Sequence, residues 1–356
     1  MYIKNIKLNN FRNYEYLDIN LINGINIFYG NNAQGKTNII ESIYVCSMGK
    51  SFRTYKEKEM IKFSKEKSII KIEYGKSDRE GSIKIEVSDK KQMEINGIKI
   101  NKISELLGNI IVVLFSPDDI DILKQGPSLR RKFLDIMISS LKPAYLYNLS
   151  EFLKTMEQRN IFIRQLNIDN KNIDMLDIWD EKLANHAEKV YNYRKEFINK
   201  IKNKIEKIHE NITEEKEKID IKYISECENK ENYLELLKKS RRADIFKGYT
   251  TKGIHRDDFI IYINDKQVNI YGSQGQCRTT ILSLKLAQLE VIYNEINEYP
   301  ILLLDDFMSE LDEKRQKNFL ENIKNNQVLI TCTEKIELEK LNHLVYNVVE
   351  GNIYKE

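Results

Sequence analysis

Apolar and polar residues alternate through much of the first hundred positions: Leu17, Ile19 and Leu21, then Ile25 and Ile27, then Ile83, Ile85 and Val87. A period of two predicts strands with one buried face. Asn96 and Gly97, set between two such runs, predict a hairpin turn. From about Leu129 to Lys239 the period changes. Glycine disappears, proline occurs once at Pro143, and Trp179, Leu183, Ala187, Val190, Phe197, Ile201, Ile205, Ile208 and Ile212 step by threes and fours, with Arg194 in the one missing seam position. That spacing predicts a long helix, one strand of a short antiparallel coiled coil. It serves equally an arm that contacts DNA or a partner and a helical domain packed on its own core. Asn167 to Asp174, rich in Asn and Asp, is its predicted tip or loop.

After about Gly248 strand patterns return in FIIYIND and PILLLDD, separated by a helix with Leu282, Leu286, Leu289 and Tyr293 along one face, and VLITCTE and LVYNVVEGNIYK close the chain. The economical arrangement is an α/β head built from both chain ends, residues 1–125 and 246–356, with a helical arm inserted over 126–245.

At 356 residues the chain has the length of about two domains. No run of about 18 apolar residues is present to span a bilayer, and MYIKNIKLNNFRN lacks the apolar core of a secretory signal. A cytoplasmic protein with no membrane partner is expected. Cys46, Cys227, Cys277 and Cys332 lie far apart with no CxxC pair, which predicts reduced thiols rather than a zinc cluster or a disulfide framework. The balance of 57 basic against 54 acidic side chains leaves a net charge of +3, too small to argue for nucleic acid by itself. The arginine clusters, Arg130 and Arg131 beside Lys132, and Arg241 and Arg242 after Lys238 and Lys239, read either as phosphate contacts or as solvated helix faces.

Candidate chemistry begins at YGNNAQGKTN, which fits GxxxxGK[ST] as Gly30, Gly35, Lys36 and Thr37. INIFY before it reads as a buried strand, and Ile39, Ile43 and Cys46 after it share one helix face, the strand, loop, helix order that a phosphate-binding loop needs. Glycines let the loop amides of Asn31, Asn32, Ala33 and Gln34 turn inward around phosphate oxygens, the helix N-terminus adds partial positive charge, Lys36 reaches the β and γ phosphates, and the Thr37 hydroxyl can bind Mg²⁺. In PILLLDD a buried strand ends on Asp305 and Asp306. Asp305 is placed to hold Mg²⁺, directly or through water, and Asp306 to orient or deprotonate the attacking water. In YGSQGQCRTTILSLKLAQ, Ser273, Gly275 and Gln276 precede an amphipathic helix, again setting backbone N–H groups and a hydroxyl at a helix N-terminus. Followed by SELD at Ser309 to Asp312, this order resembles the signature and D-loop of ABC-type ATPases. In that architecture one subunit's signature caps ATP bound to the other, so the resemblance implies an ATP-dependent homodimer.

Over nearly its whole length the chain is similar to the RecF family of bacterial recombinational repair ATPases, within the wider SMC-like group. The resemblance rests on FRNY at Phe11 to Tyr14, GNNAQGKTN followed by GKSFRT, FSPDD at Phe115 to Asp119 leading to RRKFLD, TTKGIHRDD at Thr250 to Asp258, SQGQCRT and LLLDDFMSELD, in this order. It implies ATP and Mg²⁺ as cofactors and binding to single-stranded, double-stranded and gapped DNA. It further implies weak, DNA-stimulated ATP hydrolysis, a link to the SOS response, and action with RecO and RecR to help load the recombinase. The alternative is the nucleotide-binding subunit of an ABC-type transporter, which the long helical insertion disfavours.

Three features depart from the broader ABC pattern. Asp306 stands where Glu is usual and is one methylene shorter, which predicts slow hydrolysis. VLITCTE offers Thr331, Cys332 and Thr333 where a switch His is expected, and FSPDD puts Ser116 where a Q-loop glutamine is sought. His255 reads as a hydrogen-bonded structural residue rather than a general base. Arg53 reads as a phosphate contact or as a partner of Glu57.

Overall fold

The computed structural model describes residues 1–166, 172–310, 316, 319–321, 323–335 and 342–356. Two compact units emerge, one of Met1–Asp119 with Lys285–Glu356, the other of Ile120–Leu284.

In chain order the first unit opens with strands β1 (Tyr2–Phe11), β2 (Tyr14–Asn20), β3 (Ile25–Tyr29), β4 (Ser68–Gly75), β5 (Glu80–Val87), β6 (Gln92–Ile95), β7 (Ile98–Ile100) and β8 (Val112–Phe115). Six of them form an antiparallel sheet in the order β2-β1-β4-β5-β6-β7. Ile83, Ile85 and Val87 are buried while the residues between them are half-exposed, as the alternation predicts. Asn96 and Gly97 join β6 to β7 with φ of 52° and 79°, the two positive values that a tight hairpin matching strand twist requires.

The remaining strands are β9 (Ile219–Ile224), β10 (Asp258–Ile263), β11 (Lys266–Gln267), β12 (Ile301–Asp305), β13 (Val328–Cys332), β14 (His343–Val349) and β15 (Asn352–Lys355). A second sheet of the first unit runs β15-β14-β3-β13-β12-β8, parallel throughout except for the edge strand β15. Strands of such a sheet are covered on both faces, which is why ILLL and VLIT read as continuous apolar runs. The apparent alternation in β3 has a different cause. Asn26 is fully buried rather than facing solvent, and its amide is satisfied by the preceding turn through Ile22 N–H (3.0 Å) and Ile22 C=O (3.0 Å). Helix α1 (Lys36–Met48) follows β3 and is buried at every position from Ile39 onward, the reason for its all-round apolar character.

The second unit reaches further than the arm expected over 126–245. Residues 246–284 belong to it, and its sheet, ordered β11-β10-β9, pairs FIIYIND with β9. The absence of glycine and proline around β9 made its six residues read as a continuation of the helical region. The long helix spans Leu176–Thr213, about 57 Å at 1.5 Å per residue, and packs on helices Pro143–Leu166 and Lys230–Lys247. Leu183, Ala187, Val190, Phe197, Ile201 and Ile205 are buried along the expected seam. Residues 167–171 of the expected tip lie outside the described residues, and Ile173–Met175 form a short 3₁₀ turn.

Arg194 fills its seam position by pairing with Asp135 (2.9 Å) and Asp257 (3.1 Å) and donating to the Ile254 carbonyl (2.7 Å). A second buried arginine, Arg159, donates to Asp180 (2.7 Å), Asp244 (2.8 Å) and Thr250 (2.9 Å). Three members of the arginine clusters are committed inside this unit as well. Arg130 forks onto Asp258 (2.6 and 2.9 Å), Arg131 donates to the Asp257 carbonyl (2.7 Å), and Arg241 pairs with Asp180 (2.6 Å). The stretch TTKGIHRDD therefore acts as packing. Its Thr250, Asp257 and Asp258 anchor arginines, and His255, with its Nε2 3.2 Å from the Thr250 carbonyl, is pushed down to about 4 by burial.

Candidate nucleotide site

Five elements bring their C-terminal ends to one edge of the parallel sheet, the edge at which open α/β sheets bind ligands. Tyr29 of β3 lies level with Cys332 of β13, Asp305 of β12 with Thr331, and Leu304 with Phe115 of β8. The loop of Gly30 to Gly35 leaves β3 there and turns into α1.

Backbone geometry explains the two glycines. Gly30 has φ +148° and Gly35 +113°, values that favour glycine. A Cβ at Gly30 would stand 2.4 Å from the Val348 carbonyl, and one at Gly35 would stand 2.5 Å from Asn13 Nδ2. Asn13 holds the loop from outside. Its Nδ2 donates to the Gln34 carbonyl (2.8 Å), its Oδ1 accepts from Asn38 (2.7 Å), and Tyr14 donates to the Gly35 carbonyl (3.1 Å). Asn31, Asn32 and Ala33 stay exposed at the tip. Of the first amides of α1, that of Asn38 turns back to the Gly35 carbonyl (3.0 Å), while those of Lys36 and Thr37 precede any intrahelical acceptor.

Lys36 is buried, and its ammonium donates to the carbonyls of Gly30 (2.6 Å) and Asn31 (2.9 Å). It is thus held folded over the loop by two backbone carbonyls. Thr37 donates to Asp305 Oδ1 at 2.8 Å, joining the phosphate loop to the end of β12. Thr331 of β13 donates to the same oxygen (2.9 Å) and accepts from the Asp306 N–H (3.0 Å). Asp306 sits at φ +49°, outside the strand, and burial raises its carboxyl above the usual range. Lys36 opposes that shift and Asp305 adds to it.

Behind α1, Glu41 is wholly buried and held by Arg12 through two bonds (2.9 and 2.6 Å). Arg53 reaches the same carboxylate (3.4 Å) and Asn38 (2.7 Å), so its partner is Glu41, while Glu57 pairs with Lys91. At the end of β8, Asp119 accepts from the Ser116 N–H (2.8 Å) and pairs with Lys285 (2.7 Å), fixing the segment where a Q-loop was sought.

The structure thus brings Gly30, Gly35, Lys36, Thr37, Asp305 and Asp306 together. Ser273, Gly275 and Gln276 lie in the second unit, at the start of the helix Gln274–Ile296. Ser273 and Gln276 cap each other reciprocally. The Gln276 N–H donates to Ser273 Oγ (3.2 Å) and the Ser273 N–H to Gln276 Oε1 (2.9 Å). Of the SELD stretch, residues 311 and 312 lie outside the described residues. The part played by Thr331 was not read from the sequence, because the order that puts β13 between β3 and β12 is a tertiary fact. Asn13 and Arg12 were visible only as members of FRNY, without a role.

ATP fits this site by the chemistry of its donors: a buried ammonium, a glycine loop closed to any Cβ and a helix start. Among the described residues no group of three or more His, Cys, Asp or Glu side chains is arranged to hold a metal. The Thr37 hydroxyl and the Asp305 carboxylate, 2.8 Å apart, are oxygen donors of the kind that fits Mg²⁺, which takes few ligands from the protein. Among the described residues no helix is long and apolar enough to cross a membrane.

Residues 2–353 match the profile of the RecF/RecN/SMC N terminal domain. The chain is 43% identical to the DNA replication and repair protein RecF of Ruminiclostridium cellulolyticum, with 99% of each covered, and 46% identical to that of Clostridium tetani, with 94% and 93% covered. It superposes with a TM-score of 0.94, at 37% identity, on a solved structure of the recombination mediator protein RecF with ATP in the RecFOR pathway, covering 100% of this chain and 97% of that one. A chain with this site and this full-length likeness belongs to the RecF family, within the RecF/RecN/SMC group.

Proposed function

We propose that the chain is an ATP-gated DNA-binding protein of DNA replication and recombinational repair. The observation that carries this reading is the junction of Lys36, Thr37, Asp305 and Asp306 at one sheet edge. Lys36 binds the β and γ phosphates, and the loop amides between Gly30 and Gly35 close around them. Thr37 and Asp305 would hold Mg²⁺, which would supply positive charge beside the phosphates. Asp306, at the turn just past the strand, orients or deprotonates the attacking water. Its short side chain keeps turnover slow, so binding rather than hydrolysis is the main output.

Ser273, Gly275 and Gln276 cap ATP held by a second copy, which makes closure of the homodimer depend on nucleotide. The closed dimer binds gapped DNA through phosphates and, with RecO and RecR, helps load the recombinase. A relative described as a recombination mediator in the RecFOR pathway supports that placing. The full-length likeness to RecF proteins favours it over a transporter's nucleotide-binding subunit.

Sedimentation of the protein with ATP, with ADP and as Lys36→Ala, each with and without a gapped duplex, tests the reading. ATP alone should convert monomer to dimer, and the dimer should retain DNA, more weakly as salt rises. A chain that stays monomeric and ignores DNA in every state would overturn it.

A further inference from the structure

Strand β13, Val328–Cys332, is buried along its length, and its sequence VLITC carries one hydroxyl, at Thr331. Packing alone asks for valine at that position. Val has nearly the same shape as Thr and suits a strand covered on both faces, whereas a hydroxyl sealed from solvent costs free energy unless it is hydrogen-bonded. The partners of the Thr331 hydroxyl are therefore what sets it apart from a valine.

Thr331 pairs in register with Asp305 of β12, which puts both side chains on one face of the sheet. A backbone N–H can only donate, so the Thr331 oxygen accepts from Asp306 (3.0 Å) and its one hydrogen is left for Asp305 Oδ1 (2.9 Å). The other acceptor within reach, the Leu304 carbonyl, is uncharged and more distant at 3.4 Å. One hydroxyl thus ties the side chain of Asp305 to the backbone of Asp306, where the chain leaves β12 with φ +49°. The direction of the Asp306 carboxyl follows from that turn. The residues after Thr331 do not share its position. Cys332 sets its thiol against the Phe28 carbonyl (3.9 Å), where burial pushes it up to about 12, and Thr333 is exposed.

We propose that Thr331 is a positioning residue for ATP hydrolysis: by tying Asp305 and the turn at Asp306 to one hydroxyl, it keeps the second carboxylate aimed at the attacking water. It serves turnover rather than ATP binding. Lys36 is held over the phosphate loop by the Gly30 and Asn31 carbonyls, bonds in which Thr331 takes no part, so ATP affinity does not depend on the hydroxyl. Turnover does, because rate is steeply sensitive to the placement of a catalytic group. The tie is a property of the nucleotide-free chain; its effect on turnover rests on the function proposed above.

Thr331→Val removes the hydroxyl and keeps the shape; Thr331→Ser keeps the hydroxyl and removes a methyl. A packing role makes the serine variant the worse of the pair, and positioning makes it the better. Hydrogen exchange at the Asp306 amide without nucleotide reads the tie itself. Calorimetric titration of ATP with Mg²⁺ gives affinity, and single-turnover hydrolysis at saturating ATP gives rate. We expect Thr331→Val to exchange the Asp306 amide about tenfold faster and to hydrolyse bound ATP about tenfold more slowly, the loss of one hydrogen bond to a charged group. Its ATP affinity should stay within about twofold of wild type and its melting temperature should not fall, while Thr331→Ser should match wild type in exchange and turnover. Wild-type turnover in Thr331→Val, whatever its amide exchange, or equal slowing in both variants, would overturn the proposal. So would a loss of ATP affinity in Thr331→Val as large as its loss of turnover, since the hydroxyl would then serve binding. If the Asp306 amide responds as expected while the wild type neither binds nor hydrolyses ATP, the functional reading fails and the tie stands.

Discussion

The phosphate loop of the first unit and the arginine network of the second use the same kinds of side chain to opposite ends. Around Gly30 to Thr37 an ammonium, a hydroxyl and two carboxylates are held in place by backbone and neighbours, yet the loop tip is exposed and the helix start has amides to give. Around Arg159 and Arg194 the carboxylates of Asp135, Asp180, Asp244 and Asp257 are occupied by guanidinium groups inside the unit. Charge in a motif does not mark a ligand site; spare hydrogen-bonding capacity at an open edge does. Removing a residue from the first region should cost ligand affinity, and removing one from the second should cost stability.

The largest expected effect is on nucleotide. Lys36→Ala should weaken ATP binding by about 100-fold, from the loss of charge-assisted bonds worth about 1.5–3 kcal/mol each, with little change in melting temperature, as calorimetry would show. Arg159→Ala should do the reverse. It leaves Asp180 and Asp244 buried with fewer partners and should lower stability by about 3–5 kcal/mol in urea unfolding, while folded protein keeps its ATP affinity. If Arg159→Ala weakened ATP binding without destabilising the fold, the contrast between the regions would fail.

Gly30→Ala combines the two outcomes. Its Cβ would strike the Val348 carbonyl at a left-handed φ, so a stability loss of about 1–3 kcal/mol should accompany weaker ATP binding. The smallest effect is expected at Asp306. A carboxyl whose pKa is raised on folding favours the folded state when protonated, and that stabilisation is lost as pH rises through the folded pKa. Above that pH, Asp306→Asn should melt no lower than wild type and should slow ATP turnover. A fall in its melting temperature at neutral pH would show that the carboxylate stabilises the loop.

Local chemistry was legible where spacing carried it. The loop from Gly30 to Thr37, the strand ending on Asp305, the hairpin at Asn96 and the seam of the long helix can each be read from positions a few residues apart. What sequence hid was set by distance along the chain. Thr331 joins Asp305 only because β13 lies between β3 and β12, and Arg12 serves α1 only because Glu41 is buried against it. Arg53 reads as a contact of phosphate or Glu57 because its partner Glu41, buried in the fold, looks in sequence like an exposed helix residue. The division at Leu284 is not legible for a related reason: β10 finds its partner β9 inside the region that reads as helical.

The central claim is that the sheet edge of the first unit is an ATP site closed by Lys36, Thr37 and Asp305. Calorimetric titration of ATP with Mg²⁺ into the wild type and Lys36→Ala, with thermal melting of both, tests it most directly. The account predicts one ATP per wild-type chain, none measurable for the variant over the same range, and matching melting curves without nucleotide. Equal ATP binding by two equally folded proteins would contradict it.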